Sequence, residues 1–166
     1  GCGKSTLAAK IFSELKIKGH NVELASEYVK TWAYEGKKPT SYDQLYVVAK
    51  QLHNEDLILR HCDLLVTDSP LFMNNTYAQF YDCRFTPHMI KLSQEFDHDF
   101  PSLNLLIERK VDYKQHGRYQ TYGEAVDFDF LLKDFLSKNL ERDLIPINVL
   151  DFPAIMKIIE VNINGR

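Results

Sequence analysis

The stretch that decides the fold opens the chain and reads Gly1-Cys2-Gly3-Lys4-Ser5-Thr6. Its Gly3-Lys4-Ser5 core matches the second half of the phosphate-binding pattern G-x-x-x-x-G-K-[ST]. In that pattern, backbone N–H groups cradle phosphate oxygens, the lysine reaches the β- and γ-phosphates, and the hydroxyl binds Mg²⁺. The stretch therefore predicts a site for the phosphates of a nucleotide, with Lys4 acting on the phosphates and Ser5 on the metal.

An amphipathic helix is expected directly behind this loop. Leu7, Ile11 and Leu15 recur at helical spacing, and Gly19 ends the run. The alternative interpretation is a glycine-rich turn that merely starts a helix. The helix favours the phosphate loop, because the positive end of its dipole would face the anion.

Composition bounds the class of protein. The chain has 166 residues, 45% apolar content and a net charge of −3, which predicts one domain over residues 1–166 and argues against a broadly basic nucleic-acid binder. Three cysteines are an odd count without a C-x-x-C pair, which favours a reducing cytoplasm over a disulfide scaffold. No apolar run is long enough to predict a membrane span.

Strand-like and helical segments alternate along the chain. Buried strands are expected at residues 21–26, 63–68, 103–108 and 146–150, and helices at 41–60, 71–80, 87–97, 122–140 and 153–161. The apolar side of the 41–60 helix is expected to carry Leu45, Val48, Ala49, Leu52 and Leu59. This rhythm predicts an α/β fold, a three-layer sandwich with a central parallel sheet between helices.

A phosphate loop of this kind normally lies between the first strand and the first helix. We therefore expect an apolar strand ahead of Gly1, in the middle of the sheet, so that the given chain is a fragment lacking it. Such a fragment would expose two unpaired strand edges and should be poorly stable alone.

Acidic residues follow two of the predicted strands. Glu27 follows the strand at 21–26, and Asp68 closes the strand at 63–68. Because ligands of parallel α/β sheets bind beyond the carboxyl ends of the strands, both should face the phosphate loop. We expect Asp68 to hold Mg²⁺ and Glu27 to orient an acceptor hydroxyl or take its proton. The alternatives are a helix N-cap or turn carboxylate for Asp68 and a first-turn helix acid for Glu27.

Two further stretches are candidates for binding. Tyr28, Trp32 and Tyr34 could line a flat aromatic pocket for a base, although an aromatic stripe also suits a core. The polar residues 109–121 predict a mobile lid, in which Arg109 and Arg118 would pair with phosphate oxygens. The alternative for that stretch is a solvated loop without a role.

The order of these motifs resembles a known family. G-K-S-T, then Glu27-Tyr28, a helix with Gln44-Leu45 and Gln51, the turn Thr67-Asp68-Ser69-Pro70 and a lid with Gly117-Arg118 are similar to P-loop kinases of the NadR ribosylnicotinamide-kinase type. The resemblance is strongest to small NadR-like AAA-family ATP-binding proteins of bacteriophages. Deoxynucleoside kinases are more distant, and Glu27 and Trp32 resemble their catalytic glutamate and following tryptophan.

That resemblance implies strand order 2-3-1-4-5, MgATP as phosphate donor and a lid that closes on it. The expected location is the cytoplasm, which would be the host's if the chain is phage-encoded. From the motifs themselves we expect nucleotide contacts from the residues of the opening hexapeptide and from Arg109, and catalysis by Lys4, Glu27, Asp68 and Arg118. The acceptor would be a hydroxyl of a nucleoside-like small molecule.

The alternatives are a kinase of hydroxymethylated pyrimidines in phage DNA, an ATPase without an acceptor, and a non-catalytic nucleotide-binding module. The acidic chain favours the small molecule over nucleic acid, and Ser69 in place of a second acid after Asp68 favours transfer over hydrolysis. The sequence leaves open the acceptor, the oligomeric state and whether Glu27 or Asp68 is the base.

Overall fold

The computed structural model describes residues 3–37, 39–107 and 122–165. Short parallel strands alternate there with longer helices, as the periodicity predicts. The elements run in the order α1 (Lys4–Ile17), β1 (Val22–Ala25), α2 (Lys30–Tyr34), α3 (Ser41–Leu59), β2 (Leu64–Thr67), α4 (Leu71–Phe80), α5 (Thr86–Asp99), β3 (Asn104–Ile107), α6 (Tyr122–Asn139), β4 (Leu144–Ile147) and α7 (Phe152–Asn164).

The strands form two parallel pairs. β1 pairs with β2 in the register Val22↔Leu64, and β3 pairs with β4 in the register Asn104↔Leu144. All residues of β2 and of β3 line one cavity of about 950 Å³, so these two strands border the same space. The expected single central sheet is thus observed, within the described residues, as two two-stranded sheets on either side of a cavity.

Alternating strand residues face two different helical layers, because successive side chains of a strand point to opposite faces. Leu64, Leu105 and Ile147 pack in one core with residues of α1 and α7. Leu144, three positions from Ile147, packs instead with Phe72, Phe135 and Leu136 of α4 and α6. The described residues therefore form three layers of helix, strand and helix.

The buried face of α3 differs from the expected one. Leu45 is 41% exposed and Ala49 is also exposed, whereas Gln51 and Glu55 are buried beside Val48. The expected apolar side is therefore wrong at Leu45 and Ala49, whereas Val48 and Leu52 pack in a core. The physical reason is that α3 packs against the ends of β1 and β2, where buried amide and carboxyl groups find hydrogen-bonding partners.

The last strand is also shifted from the predicted residues 146–150 to Leu144–Ile147. The segment after it turns, since the Asn148 carbonyl accepts a hydrogen bond from the Asp151 amide at 3.0 Å. Asp151 then caps α7 by accepting from the Ala154 amide at 3.1 Å. Among the residues with a described structure, no helix combines the length and apolarity needed to cross a bilayer.

Candidate functional site

The start of α1 has the geometry of an anion site. Gly3 precedes the helix with φ 84°, a left-handed conformation in which a side chain would be strained, and its carbonyl accepts from the Leu7 amide at 2.9 Å. Among the described residues no side chain caps the helix, and its first turn contains no acid. The free N–H groups of that turn and the helix dipole are thus available to phosphate oxygens.

Four of the residues predicted for catalysis and metal binding share one space. Lys4, Ser5, Glu27 and Asp68 all line the cavity that β2 and β3 border. Lys4 and Ser5 are exposed in the first turn of α1, as is Thr6, and the other two follow β1 and β2. The fold therefore brings the ammonium, the hydroxyl and both carboxylates to the same edge of the strands.

Glu27 is electrostatically linked to the other charged groups. Burial raises its pKa above 4.5, the nearby Asp68 carboxylate adds to the rise, and Lys4 and Lys30 oppose it. The alternative role of a first-turn helix acid is wrong, because α2 begins at Lys30 and has no acid in its first turn. Sequence reasoning did not include Lys30, whose only signal was its position three residues after Glu27.

One carboxylate oxygen of Asp68 is buried and available to a ligand. Its Oδ1 atom lacks a hydrogen-bond partner among the described residues. The alternative role of an N-cap is wrong, because Pro70 occupies that position of α4. An unpaired buried carboxylate oxygen costs free energy unless a ligand satisfies it, so this atom fits a Mg²⁺ ligand.

The donor set also fits magnesium. In the part of the chain that is described, no group of three or more His, Cys, Asp and Glu side chains is arranged to hold a metal ion. Mg²⁺ beside phosphates usually takes only one or two groups from the protein and the rest from phosphate and water. Asp68 and Ser5, which both line the cavity, would supply such a pair.

An aromatic cluster begins at Tyr28, the residue directly after Glu27. The rings of Tyr28 and Tyr46 meet edge to face at 5.8 Å between centroids, and Trp32 stacks on Tyr46 at 6.1 Å and 24°. Tyr46 of α3 was not among the predicted aromatic residues, whereas the predicted Tyr34 lines the cavity but is 76% exposed. The cluster is thus built from two segments that only the tertiary structure brings together.

Two buried polar residues of α3 join the ends of β1 and β2. Gln51 accepts from the Tyr28 amide at 3.2 Å and donates from Nε2 to the Glu55 carboxylate at 2.7 Å. The Thr67 side chain also hydrogen-bonds to Glu55, and Thr67 Oγ1 accepts from the Ser69 amide at 3.2 Å. Sequence reasoning missed Glu55; its signal was a Gln and a Glu four residues apart within a helix.

Some predicted site residues lie outside the described residues. These are Gly1 and Cys2 of the loop and Arg109 and Arg118 of the expected lid over residues 109–121. Their roles remain predictions.

A helix that opens on a phosphate-binding loop, beside a carboxylate that ends a neighbouring parallel strand, defines a nucleotide-binding protein of the P-loop class. The sequence profile of the family described as AAA domain matches residues 1–152, and the chain therefore belongs to that family. Comparison with curated proteins and with solved structures finds no match.

Proposed function

We propose that this protein is an ATP-dependent kinase that transfers the γ-phosphate of MgATP to a hydroxyl of a nucleoside-like small molecule. One observation carries the proposal: Glu27, on the wall of a large cavity, is linked electrostatically to both Lys4 and Asp68. A carboxylate in that position can orient the acceptor hydroxyl and take its proton. The lysine can neutralise phosphate charge, and the aspartate can bind the metal.

Each residue has a separate task in this scheme. The Lys4 ammonium neutralises phosphate charge beside the N-terminus of α1, and Asp68 with Ser5 would hold Mg²⁺. When bound, Mg²⁺ supplies charge neutralisation on the phosphate oxygens. A Glu27 carboxylate oxygen orients the acceptor hydroxyl and takes its proton as the oxygen–phosphorus bond forms and the bond to ADP breaks.

Two features favour transfer over hydrolysis. The residue after Asp68 is Ser69, which is fully buried and has no carboxylate to activate water. The aromatic cluster of Tyr28, Trp32 and Tyr46 adjoins the same segment as Glu27 and offers apolar ring area for a planar base. The first favours transfer to an acceptor, and the second favours an acceptor with a ring system.

The strand order of the kinases belongs to the same proposal. A further parallel strand between β2 and β3 would join the two observed pairs into the order 2-3-1-4-5, counting that strand as the first. The shared cavity supports this, because both facing strands line it along their whole length. The strand would run directly into the loop that ends at Gly3.

The experiment that tests the proposed activity measures ADP release from ATP with and without candidate acceptors, including nucleosides, ribosylnicotinamide and hydroxymethylated DNA. Turnover that depends on a small-molecule acceptor and disappears in Glu27→Gln is the expected result. Turnover without any acceptor would instead indicate an ATPase, and tight ATP binding without turnover a binding module. Turnover only on DNA, falling steeply with salt, would indicate the nucleic-acid substrate.

A further inference from the structure

The buried pair Gln51 and Glu55 connects the two strand ends that carry the acidic residues of the site. Gln51 is 0% exposed and Glu55 5% exposed, so both residues are almost wholly buried. Buried amide and carboxyl groups are costly unless their hydrogen bonds are made, and both make them here. Packing alone therefore does not explain why the buried face of α3 carries two polar residues.

The partners of the pair lie next to the site residues. Gln51 Oε1 accepts from the backbone amide of Tyr28, the residue directly after Glu27. Glu55 is hydrogen-bonded to Thr67, the residue directly before Asp68, and Thr67 in turn accepts from the amide of Ser69, directly after it. The hydrogen bonds thus form one relay, which runs from one side of Glu27 to both sides of Asp68.

We propose that Gln51 and Glu55 are positioning residues that hold the end of β1 against the end of β2, so that Glu27 and Asp68 act on one bound nucleotide and acceptor. The inference rests on the proposed function. Because each contact is made through backbone or through a neighbouring side chain, the pair leaves both site carboxylates free for ligands. Misplacing a reacting group by about 1 Å can cost roughly 100-fold in rate.

The test compares two variants on the same helix in the full-length protein. Gln51→Met removes the hydrogen bonds at similar volume, and the matched control Val48→Ala cuts into the α3 core at a 0% exposed position outside the relay. We expect Gln51→Met to lower kcat roughly ten- to hundred-fold with the KM for ATP within about two-fold. Val48→Ala should change melting temperature but not kcat.

A conservative variant keeps the test decisive if Gln51→Met folds poorly. Glu55→Gln can still accept from Gln51 and bond to Thr67, and it should retain about half of kcat or more, whereas Glu55→Met should behave as Gln51→Met does. Equal losses of kcat in Gln51→Met and Val48→Ala, or in Glu55→Gln and Glu55→Met, would overturn the proposal.

Amide hydrogen exchange separates this inference from the proposed function. Even in a protein without turnover, a relay predicts that Gln51→Met speeds exchange at both the Tyr28 and the Ser69 amides, because the loss passes through Glu55 to Thr67. Faster exchange at Tyr28 alone would show two independent contacts and overturn the positioning role. If no acceptor supports turnover, the kinase proposal is wrong, and the exchange result alone then shows whether the relay exists.

Discussion

Gln51 and Glu55 lie one turn apart on α3, and the Gln51 Nε2 atom donates a 2.7 Å hydrogen bond to the Glu55 carboxylate. Burial raises the pKa of Glu55 from 4.5 to about 7, although the hydrogen bonds with Gln51 and Thr67 favour the ionised form and oppose the rise. A buried acid that titrates near neutrality makes the stability of the fold depend on pH.

We expect the free energy of unfolding to fall as pH rises through this range. Between the unfolded pKa of 4.5 and the folded value of about 7, the native protein keeps a proton that the unfolded chain has released. The stabilisation is complete below 4.5 and is lost above 7, a change on the order of 3 kcal/mol at about 1.4 kcal/mol per pKa unit. Urea unfolding at a series of pH values measures it.

Glu55→Gln should flatten the pH dependence of the free energy of unfolding, because the amide does not titrate. The stability of the variant relative to the wild type should therefore increase as pH rises. The matched control is Glu95→Gln at an exposed position of α5, which should leave the pH profile parallel to that of the wild type. Parallel profiles for the wild type and Glu55→Gln would contradict the assignment.

Lys4→Ala should reduce turnover by at least about 100-fold while the protein stays folded. The side chain is exposed at the start of α1 and lines the cavity, so its loss removes charge from the phosphate site without opening the core. Steady-state kinetics measures the loss of turnover, and thermal unfolding checks that the variant stays folded. Lys91→Ala, an exposed lysine of α5 that pairs only loosely with Glu95 at 4.0 Å, should leave both unchanged. A Lys4→Ala variant with near-normal kcat would show that Lys4 of the phosphate loop takes no part in turnover.

Asp68→Asn should weaken the effect of Mg²⁺ on ATP binding roughly ten-fold or more. The buried Oδ1 atom has no hydrogen-bond partner among the described residues, and an amide oxygen is a poorer magnesium ligand than a carboxylate. Titration calorimetry with and without Mg²⁺ measures the difference. Asp82→Asn makes the same chemical change at an exposed residue with φ 52°, a conformation that Asn tolerates, and should have no effect. If both variants respond to Mg²⁺ as the wild type does, the metal is held elsewhere.

Extending residues 1–166 at the N-terminus by the expected apolar strand should raise the melting temperature. The strand would pair with β2 and β3 and occupy the part of the cavity that lies between them. Since 1 kcal/mol moves the melting temperature by about 2–4 °C in a chain of this size, we expect a rise of roughly 10 °C or more. An extension of equal length made of Ser and Asp residues is the control. Equal melting temperatures for the two extended chains would argue against a strand in this position.

The helices and strands follow closely from the sequence where the local pattern is strong. The helix predicted at 71–80 is α4 (Leu71–Phe80), and the predicted strand at 63–68 contains β2 (Leu64–Thr67). The buried face of α3 did not follow, because helical periodicity counts apolar residues and Gln51 and Glu55 are polar. Their burial depends on partners from β1 and β2 that lie far away along the chain.

The sequence by itself determined the phosphate loop, the helix behind it and the alternation of strands and helices, since spacing and backbone preference are local properties. Only the tertiary structure decided which distant groups share the site. It brought Lys4 and Asp68 near Glu27 and stacked Tyr46 on Trp32. It also left Asp68 Oδ1 without a partner among the described residues and linked two strand ends through α3. Burial and charge–charge interactions depend on distances between segments, and parallel packing of the strands sets those distances.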